Sequence, residues 1–179
     1  MHRERRTVRL PGYDYASQGA YFVTVCTRDR ECALGKIASG ILSLSRFGEI
    51  ARSCWEGLPR HYSGIELGAF IVMPNHVHGI IVITGDITVK RNNDTVGAGL
   101  KPAPTVVKRH ALPEIIRAFK TFSARGINLA RDTPGRPFWQ RNYYEHVIRN
   151  GEEYDRIRQY ILENPSNWPR DDENPGRIG

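Results

Sequence analysis

Residues 65–84, IELGAFIVMPNHVHGIIVIT, are the stretch of this 179-residue sequence that decides the fold. Two strongly apolar runs, Ile65 to Met73 and His76 to Thr84, flank the turn-forming pair Pro74 and Asn75. Apolar runs of this length on either side of a turn signal are typical of two antiparallel strands. The sequence therefore predicts a β-hairpin inside a sheet.

The residues before this hairpin predict a strand, a smaller hairpin and a helix. Ala20 to Thr27 is rich in aromatic and β-branched residues, as strands are. Leu34 to Ile37 and Ile41 to Leu44 are separated by Gly40 and form a weaker pair of strands. A helix with Ser45 as its candidate N-cap follows, because apolar residues then recur every three or four positions. These residues are Phe47, Ile50, Ala51, Cys54, Trp55 and Leu58.

The residues after the hairpin predict a loop, two helices and a strand. Segment 86–110 has no apolar period and is expected to be a flexible loop. A helix is predicted from about Pro113 to Arg131, and a last strand from Phe138 to Ile148. A final helix should begin at Asn150 and stop before Pro165. On the first of these helices the expected core face is Ile115, Ala118, Phe119, Phe122 and Leu129, and the expected basic face is Arg117, Lys120, Arg125 and Arg131.

Apart from the small hairpin, the predicted order is strand, helix, strand, strand, helix, strand, helix. This is the split βαβ order of the ferredoxin-like fold, an α+β architecture with an antiparallel sheet and helices on one face, here with a C-terminal helix added. The length suits a single domain over 1–179, with 166–179 as a C-terminal tail. Because this fold hosts many functions, the function has to be argued from its sites.

The composition excludes several classes of protein. With 25% charged and 40% hydrophobic residues, the chain is neither wholly disordered nor collagen-like. No apolar run reaches the length of a membrane span, and Met1 to Arg9 lacks the apolar stretch of a signal peptide, so no membrane partner is expected. The cysteines, Cys26, Cys32 and Cys54, have no CxxC spacing, which argues against a disulfide framework and favours a reducing cytoplasm.

The net charge of +7 is concentrated in one part of the sequence. Between Lys101 and Arg149 there are ten basic residues and three acidic ones, an excess equal to the whole net charge. Such a concentration favours a polyanionic partner, since nucleic acid is bound through its phosphates by lysine and arginine. The alternative is a solvated surface without a ligand.

The first candidate site is the pair His76 and His78, at the start of the second hairpin strand. Residues two apart project from one face of a strand, so the imidazoles lie about 7 Å apart along it and can converge on one ion. Neutral imidazoles suit Mn, Zn or Co, and with a hard oxygen ligand and waters also Mg. One alternative is a pair of ordinary strand histidines. The other, the histidine-triad nucleotide hydrolase pattern, is disfavoured because Ile80 takes the place of its third histidine.

The second candidate site lies in the final helix. Tyr160 and Asn164 are four residues apart and therefore share one face, so that a phenol and a carboxamide are presented together. Tyr154, Ile157 and Ile161 supply a core stripe beside them. The alternative is an aromatic residue of an amphipathic helix followed by a C-terminal capping residue.

Several short motifs occur together in one order along the chain. They are RLPGYDY at 9–15, GAYFVT at 19–24, VMPNHVHG at 72–79, IIRAFK at 115–120, FWQRNYYEH at 138–146 and YILENP at 160–165, followed by Trp168. In this combination the chain resembles the REP-associated tyrosine transposases, a branch of the HUH-type, single-tyrosine transposases of bacterial insertion sequences. The resemblance covers nearly all of Arg9 to Trp168 except the loop.

The resemblance implies roles for the candidate residues. His76 and His78 would be metal ligands, Tyr160 the nucleophile, and Asn164 a third ligand where many relatives carry glutamine. It also implies a divalent metal, Mg or Mn, and a partner that is single-stranded DNA folded into hairpins, the repetitive extragenic palindromes. The expected activity is metal-dependent cleavage and rejoining of that DNA through a 5′-phosphotyrosine, in a bacterial cytoplasm at the nucleoid, by a monomer or a homodimer.

The basic segment supplies the candidate DNA contacts. Arg117, Lys120, Arg125 and Arg141 are expected to bind phosphates, and Tyr143 to stack on a base, while Trp139 suits either stacking or the core. Two other classes of function are open. One is a catalytically idle protein that binds hairpin DNA, against which the intact candidate residues argue. The other, a sheet-based RNA-binding module, is disfavoured because Tyr21 and Phe22 should point to opposite faces.

Overall fold

The structure is a computed structural model that describes residues 12–89 and 110–177. The described strands are β1 (Gly19–Cys26), β2 (Gly35–Ala38), β3 (Ile41–Leu44), β4 (Tyr62–Val72), β5 (His76–Val89) and β6 (Tyr144–Ile148). The described α-helices are α1 (Arg46–Glu56), α2 (Leu58–His61), α3 (Leu112–Ala130) and α4 (Gly151–Asn167). Two short 3-10 turns, Arg28–Arg30 and Trp168–Arg170, complete the regular structure of these residues.

Four strands form an antiparallel sheet in the order β4-β5-β1-β6, which confirms the predicted ferredoxin-like architecture. β4 and β5 are the predicted hairpin, closed by the backbone bond from Met73 N–H to His76 O. β2 and β3 form a separate two-stranded sheet, as the small hairpin predicted. The sheet order places β1 and β5 at the centre, so the HxH motif lies on an interior strand.

The two faces of the sheet are covered by different helices. Tyr21, Val23 and Val25 of β1 pack in one core with residues of α1, α2 and α3. The alternate residue Phe22 packs in a second cluster with Ile161 of α4. The expected helices therefore lie on one face, whereas the C-terminal helix lies on the opposite face.

The register of β5 brings the two histidines to the face of α4. His76 pairs with Cys26 and His78 with Thr24, and directly paired residues share a face. The next residue, Gly79, faces the other core, where an added Cβ would lie 2.3 Å from Cζ2 of Trp55. Trp55 is itself fully buried. Only glycine therefore fits at position 79, where β5 packs against Trp55 of α1.

The helices α1, α3 and α4 begin within a residue of where the sequence predicts, and α1 and α4 have the expected side-chain caps. The Ser45 side chain accepts hydrogen bonds from the N–H groups of Phe47 and Gly48. The N-terminus of α4 is capped in the same way, since the Asn150 side chain accepts a bond from the Glu153 N–H. Helix α3 begins at Leu112, beside Pro113, within a residue of the prediction.

The buried stripe of α3 differs from the predicted one. Ile115 and Phe119 are fully buried, but Phe122 and Leu129, expected in the core, are exposed. Ser123 is buried instead because its hydroxyl accepts the indole N–H of Trp139. Because the buried face of α3 includes the polar Ser123, a prediction based on apolar residues placed this face part of a turn away from its actual position.

Three predicted boundaries also move. β5 continues to Val89 and Ile87 bridges to His110, so residues 86–89 of the predicted loop are strand, and 90–109 lie outside the described residues. β6 begins only at Tyr144, because the chain before it forms a single isolated bridge, between Trp139 and Thr27 just after β1. Helix α4 does not stop before Pro165 but continues to Asn167, since a proline removes one donor and not the whole turn.

Candidate active site

His76 and His78 lie side by side at the start of β5. Their ring centroids are 4.3 Å apart, and both side chains are buried. Nδ1 of His78 is 2.8 Å from the hydroxyl of Thr24, its partner across the sheet. This contact leaves Nε2 of His78 as the ring atom that faces α4.

Asn75 orients the other imidazole. Its Oδ1 is 2.8 Å from Nδ1 of His76, while its amide nitrogen donates to the carbonyl oxygens of Arg30 and Glu173. The two donated bonds define which end of the amide faces His76, so Nδ1 of His76 must donate. Nε2 of His76 then carries the lone pair with which an imidazole binds a metal.

Tyr160 reaches this pair from α4. Its hydroxyl is 3.3 Å from Nε2 of His78, and the side chain is 46% exposed, so a substrate can approach the phenol. Asn164, one helical turn later, is 1% exposed. Its Oδ1 accepts no hydrogen bond from any residue in the described ranges. The structure thus brings Tyr160 to the two histidines, with Asn164 buried one turn further along α4.

Asp171 is a fifth residue of the site, and the sequence reasoning missed it. One ligand atom each of His76, His78 and Asp171 lies within 4.8 Å of the others, and all three residues are buried. Oδ2 of Asp171 accepts no hydrogen bond within residues 12–89 and 110–177. Two imidazoles and a carboxylate with an unused buried oxygen form a donor set that fits a divalent cation.

The segment that carries Asp171 is tied to Arg30 and Asn75, at the same end of the sheet as His76. Arg30 donates to the carbonyl oxygen of Asp172 at 2.7 Å and forms an ion pair with Glu173 at 3.1 Å. The carbonyl oxygen of Glu173 also accepts the Asn75 amide at 2.7 Å. The predicted C-terminal tail is therefore packed against the site up to these residues.

The predicted DNA contacts line one groove of about 1000 Å³ between α3 and the segment that precedes β6. Its lining includes Arg117, Lys120, Arg125, Arg141 and Tyr143, all five residues singled out from the sequence, together with Arg136. The four arginines are exposed. The groove lies on the α3 side of the sheet, opposite the face that carries Tyr160.

Lys120 has a different environment from the arginines of the groove. Its Nζ donates to the carbonyl oxygens of Gln140 and Arg141 at 2.6 and 2.9 Å. Burial lowers the pKa of this ammonium group from its usual 10.5. Lys120 thus fastens the segment before β6 to α3. Trp139, for which the sequence allowed stacking or a core role, is 6% exposed and belongs to the core.

Comparison with known proteins places the chain among relatives. Over 170 residues it is 36% identical to a protein of Haemophilus influenzae (strain ATCC 51907 / DSM 11121 / KW20 / Rd) described only as uncharacterized, covering 93% of this chain and 91% of that protein. The chain belongs to that protein's family. No family model matches the sequence.

One solved structure has a fold similar to that of this chain. A REP-associated tyrosine transposase bound to a REP hairpin matches at a TM-score of 0.57, with 23% identity, and the match covers 93% of this chain and 74% of that one. This family member therefore has the fold of that transposase. A protein of Deinococcus radiodurans R1 matches at a TM-score of 0.42 with 21% identity, covering 88% and 96% of the two chains, which is too low to support a conclusion.

The described part of this family member has no helix that is both long and apolar enough to cross a membrane. Cys26, Cys32 and Cys54 are not joined to one another by disulfide bonds in the described residues. Tyr21 is buried against α1 and α3 while Phe22 lies on the α4 face, so the two aromatic residues of β1 point to opposite sides, as expected.

Proposed function

We propose that this protein is a metal-dependent tyrosine transposase that cleaves and rejoins single-stranded DNA carrying hairpins, the repetitive extragenic palindromes, in the bacterial cytoplasm. The observation that carries the proposal is the distance of 3.3 Å between the Tyr160 hydroxyl and Nε2 of His78, inside the cluster with His76 and Asp171. The shared fold with a transposase bound to a REP hairpin supports the same class of substrate.

The chemistry assigned to Tyr160 is a transfer of one phosphodiester bond. The phenolic oxygen attacks the phosphorus, the bond to the 3′-oxygen breaks, and the strand is left with a 5′-phosphotyrosine and a free 3′-hydroxyl. The proton that Tyr160 loses balances the proton that the 3′-oxygen takes. A 3′-hydroxyl can later attack the phosphotyrosine and restore a phosphodiester, so rejoining needs no nucleotide cofactor.

The metal site is proposed to use His76, His78 and an oxygen donor. A divalent ion, Mg or Mn, would polarise the scissile phosphate and offset the charge that develops on it, which a tyrosine with a reference pKa of about 10 requires at neutral pH. Asn164, the third ligand implied by the sequence, and Asp171 both have a buried oxygen without a described donor. Asp171 is the stronger candidate because it carries a negative charge.

The DNA-binding surface is proposed to be the groove beside α3. Arg117, Arg125 and Arg141 present exposed guanidinium groups along it, and Tyr143 offers a ring among them. Cationic side chains interleaved with aromatic ones are what single strands bind. Lys120 contributes charge to the groove, although its donors are bonded to two carbonyl oxygens.

A covalent-adduct assay tests this function. The protein is incubated with hairpin-bearing single-stranded DNA and Mn or Mg, and a band that survives denaturation reports the phosphotyrosine. Tyr160→Phe should abolish the adduct and retain DNA binding, and Tyr143→Phe serves as the matched control that should retain both. His76→Ala should lower adduct formation by roughly a thousand-fold or more, because it removes a ligand of the ion. Binding of the DNA hairpin without any adduct would instead identify a catalytically idle DNA-binding protein.

A further inference from the structure

Tyr144 lies in one row with His78, a proposed metal ligand. It pairs directly with Thr24 across β6 and β1, and Thr24 pairs directly with His78 across β1 and β5. Directly paired residues of an antiparallel sheet project from the same face. Tyr144 is therefore on the face of Tyr160, at the edge strand, although it is adjacent in sequence to a residue of the groove on the other face.

Phe22 connects Tyr144 to the nucleophile. Its ring centroid is 6.2 Å from that of Tyr144, 6.1 Å from that of Tyr160 and 5.4 Å from that of His78. Phe22 is buried, whereas Tyr144 is 36% exposed and Tyr160 46% exposed. Two exposed aromatic rings thus stand on either side of a buried one, and Tyr144 meets Phe22 edge to face.

The position of Tyr143 indicates a path from the groove to Tyr160. Tyr143 lines the groove on the α3 side, and the next residue, Tyr144, faces the α4 side. A single strand held by the arginines of the groove can reach Tyr160 by passing round the edge of the sheet at β6. Tyr144 is the exposed ring on that route.

We propose that Tyr144 is a positioning residue that stacks on the nucleobase beside the scissile phosphate and so holds this phosphate against Tyr160. The inference rests on the proposed function and adds to it a binding position for one nucleotide. Stacking suits the observations because a ring presents its face to any base without a hydrogen-bond requirement. The hydroxyl of Tyr144 is not needed for this role.

Three substitutions separate stacking from other roles. Tyr144→Ala should weaken binding of the strand or slow single-turnover adduct formation by roughly 5- to 150-fold, the range that base stacking on an aromatic residue supplies. Tyr144→Phe should restore wild-type behaviour, and Tyr144→Leu should not, because only the former keeps an aromatic face. Phe122→Ala is the matched control, since Phe122 is an exposed ring on α3 that lies outside the groove lining.

A photocrosslink gives a readout that does not depend on activity. DNA strands carrying 5-iodouracil at successive positions around the cleaved bond are bound to the Tyr160→Phe variant, irradiated and mapped by mass spectrometry. The expected product joins Tyr144 to the position next to the cleaved bond. Crosslinks that never include Tyr144, or a Tyr144→Ala variant equal to wild type in both affinity and rate, would overturn the inference.

The two proposals fail in different ways. If the wild type binds the DNA but forms no adduct, the transposase activity is wrong; a crosslink to Tyr144 then still identifies this ring as a base-stacking residue, and its absence excludes that role. If adduct forms at the wild-type rate in Tyr144→Ala with unchanged affinity, only the role of Tyr144 is wrong. If the wild type binds no single-stranded DNA, both proposals are wrong.

Discussion

The hydroxyl of Thr24 lies 2.8 Å from Nδ1 of His78, and the two residues are direct partners across β1 and β5. The second ring nitrogen of His78 is the one that faces Tyr160, at 3.3 Å. The hydrogen bond between Thr24 and Nδ1 therefore sets the ring orientation of His78 and the direction in which Nε2 points. Hydrogen-bond partners of metal-binding histidines have the same effect.

Thr24→Val should lower the rate of adduct formation by about 10- to 100-fold without changing DNA affinity, because valine keeps the shape of threonine but not its hydroxyl. Single-turnover cleavage and fluorescence anisotropy measure the two quantities. Thr24→Ser retains the hydroxyl and should restore most of the rate. Equal rates for the valine and serine variants would contradict an orienting role.

Asp171→Asn should weaken Mn binding by roughly ten-fold or more, because the variant keeps the size of the side chain and loses its charge. Calorimetric titration with Mn alone measures this without DNA. Asp172→Asn is the matched control, since Asp172 is adjacent and its carboxylate is exposed. If Asn164→Ala weakens Mn binding while Asp171→Asn does not, the amide is the third ligand.

Replacing Arg117 and Arg125 together by alanine should weaken binding to every single strand alike. For single strands the slope of log K against log[salt] is about −0.7 per neutralised phosphate, so the loss of two contacts should flatten the slope by roughly 1.4. A salt titration followed by anisotropy checks this. Lys36 and Arg52, which lie outside the groove lining, form the control pair. An unchanged slope would move the DNA to another surface.

Lys120→Met should lower the free energy of unfolding by roughly 1 to 3 kcal/mol, because two carbonyl oxygens lose a charged donor while the apolar stem is kept. Urea denaturation measures the change. The fold of the segment before β6 depends on these bonds, so loss of DNA affinity in this variant reports on stability as well as on charge. A stability equal to that of the wild type would show that the two bonds contribute nothing net.

Glu153 should make folding stability sensitive to acid. The N–H of Arg149, followed by the side chain of His146, holds the pKa of Glu153 below its usual 4.5. Because the folded-state pKa is the lower one, the unfolded chain binds the proton first, and the contribution is complete above pH 4.5 and is lost as the pH falls through the folded-state value. Melting temperatures of the wild type and Glu153→Gln should therefore converge in acid; a constant difference would argue against this linkage.

The sequence could locate those residues of the site whose orientation follows from the periodicity of one strand or one helix. Two histidines at i and i+2 on a strand, and a tyrosine and an asparagine at i and i+4 on a helix, have their faces determined locally. The two faces meet because α4 packs on the side of the sheet to which the β5 histidines point. The order of elements predicts the sheet but not which side α4 covers. From local patterns alone the four side chains appeared as two separate sites, and only the family resemblance joined them into one.

Asp171 could not be located in this way. It follows the last helix in a stretch without periodicity, and its position depends on contacts with Arg30 and Asn75, which lie far earlier in the chain. The exposure of Phe122 and Leu129 was equally hidden, because the buried stripe of α3 contains Ser123, whose partner Trp139 belongs to another segment. In each case a tertiary contact overrode the local pattern.

The position of Trp55 disfavours any other register of β5. A slip of this strand by one residue would turn both imidazoles toward the α1 side and move Gly79 away from the indole, where a Cβ has no room. Misaligned chains are thus penalised by a core contact that never touches the substrate. Substitutions of Trp55 by smaller residues would weaken this penalty and leave some molecules folded but with the two histidines turned away from Tyr160.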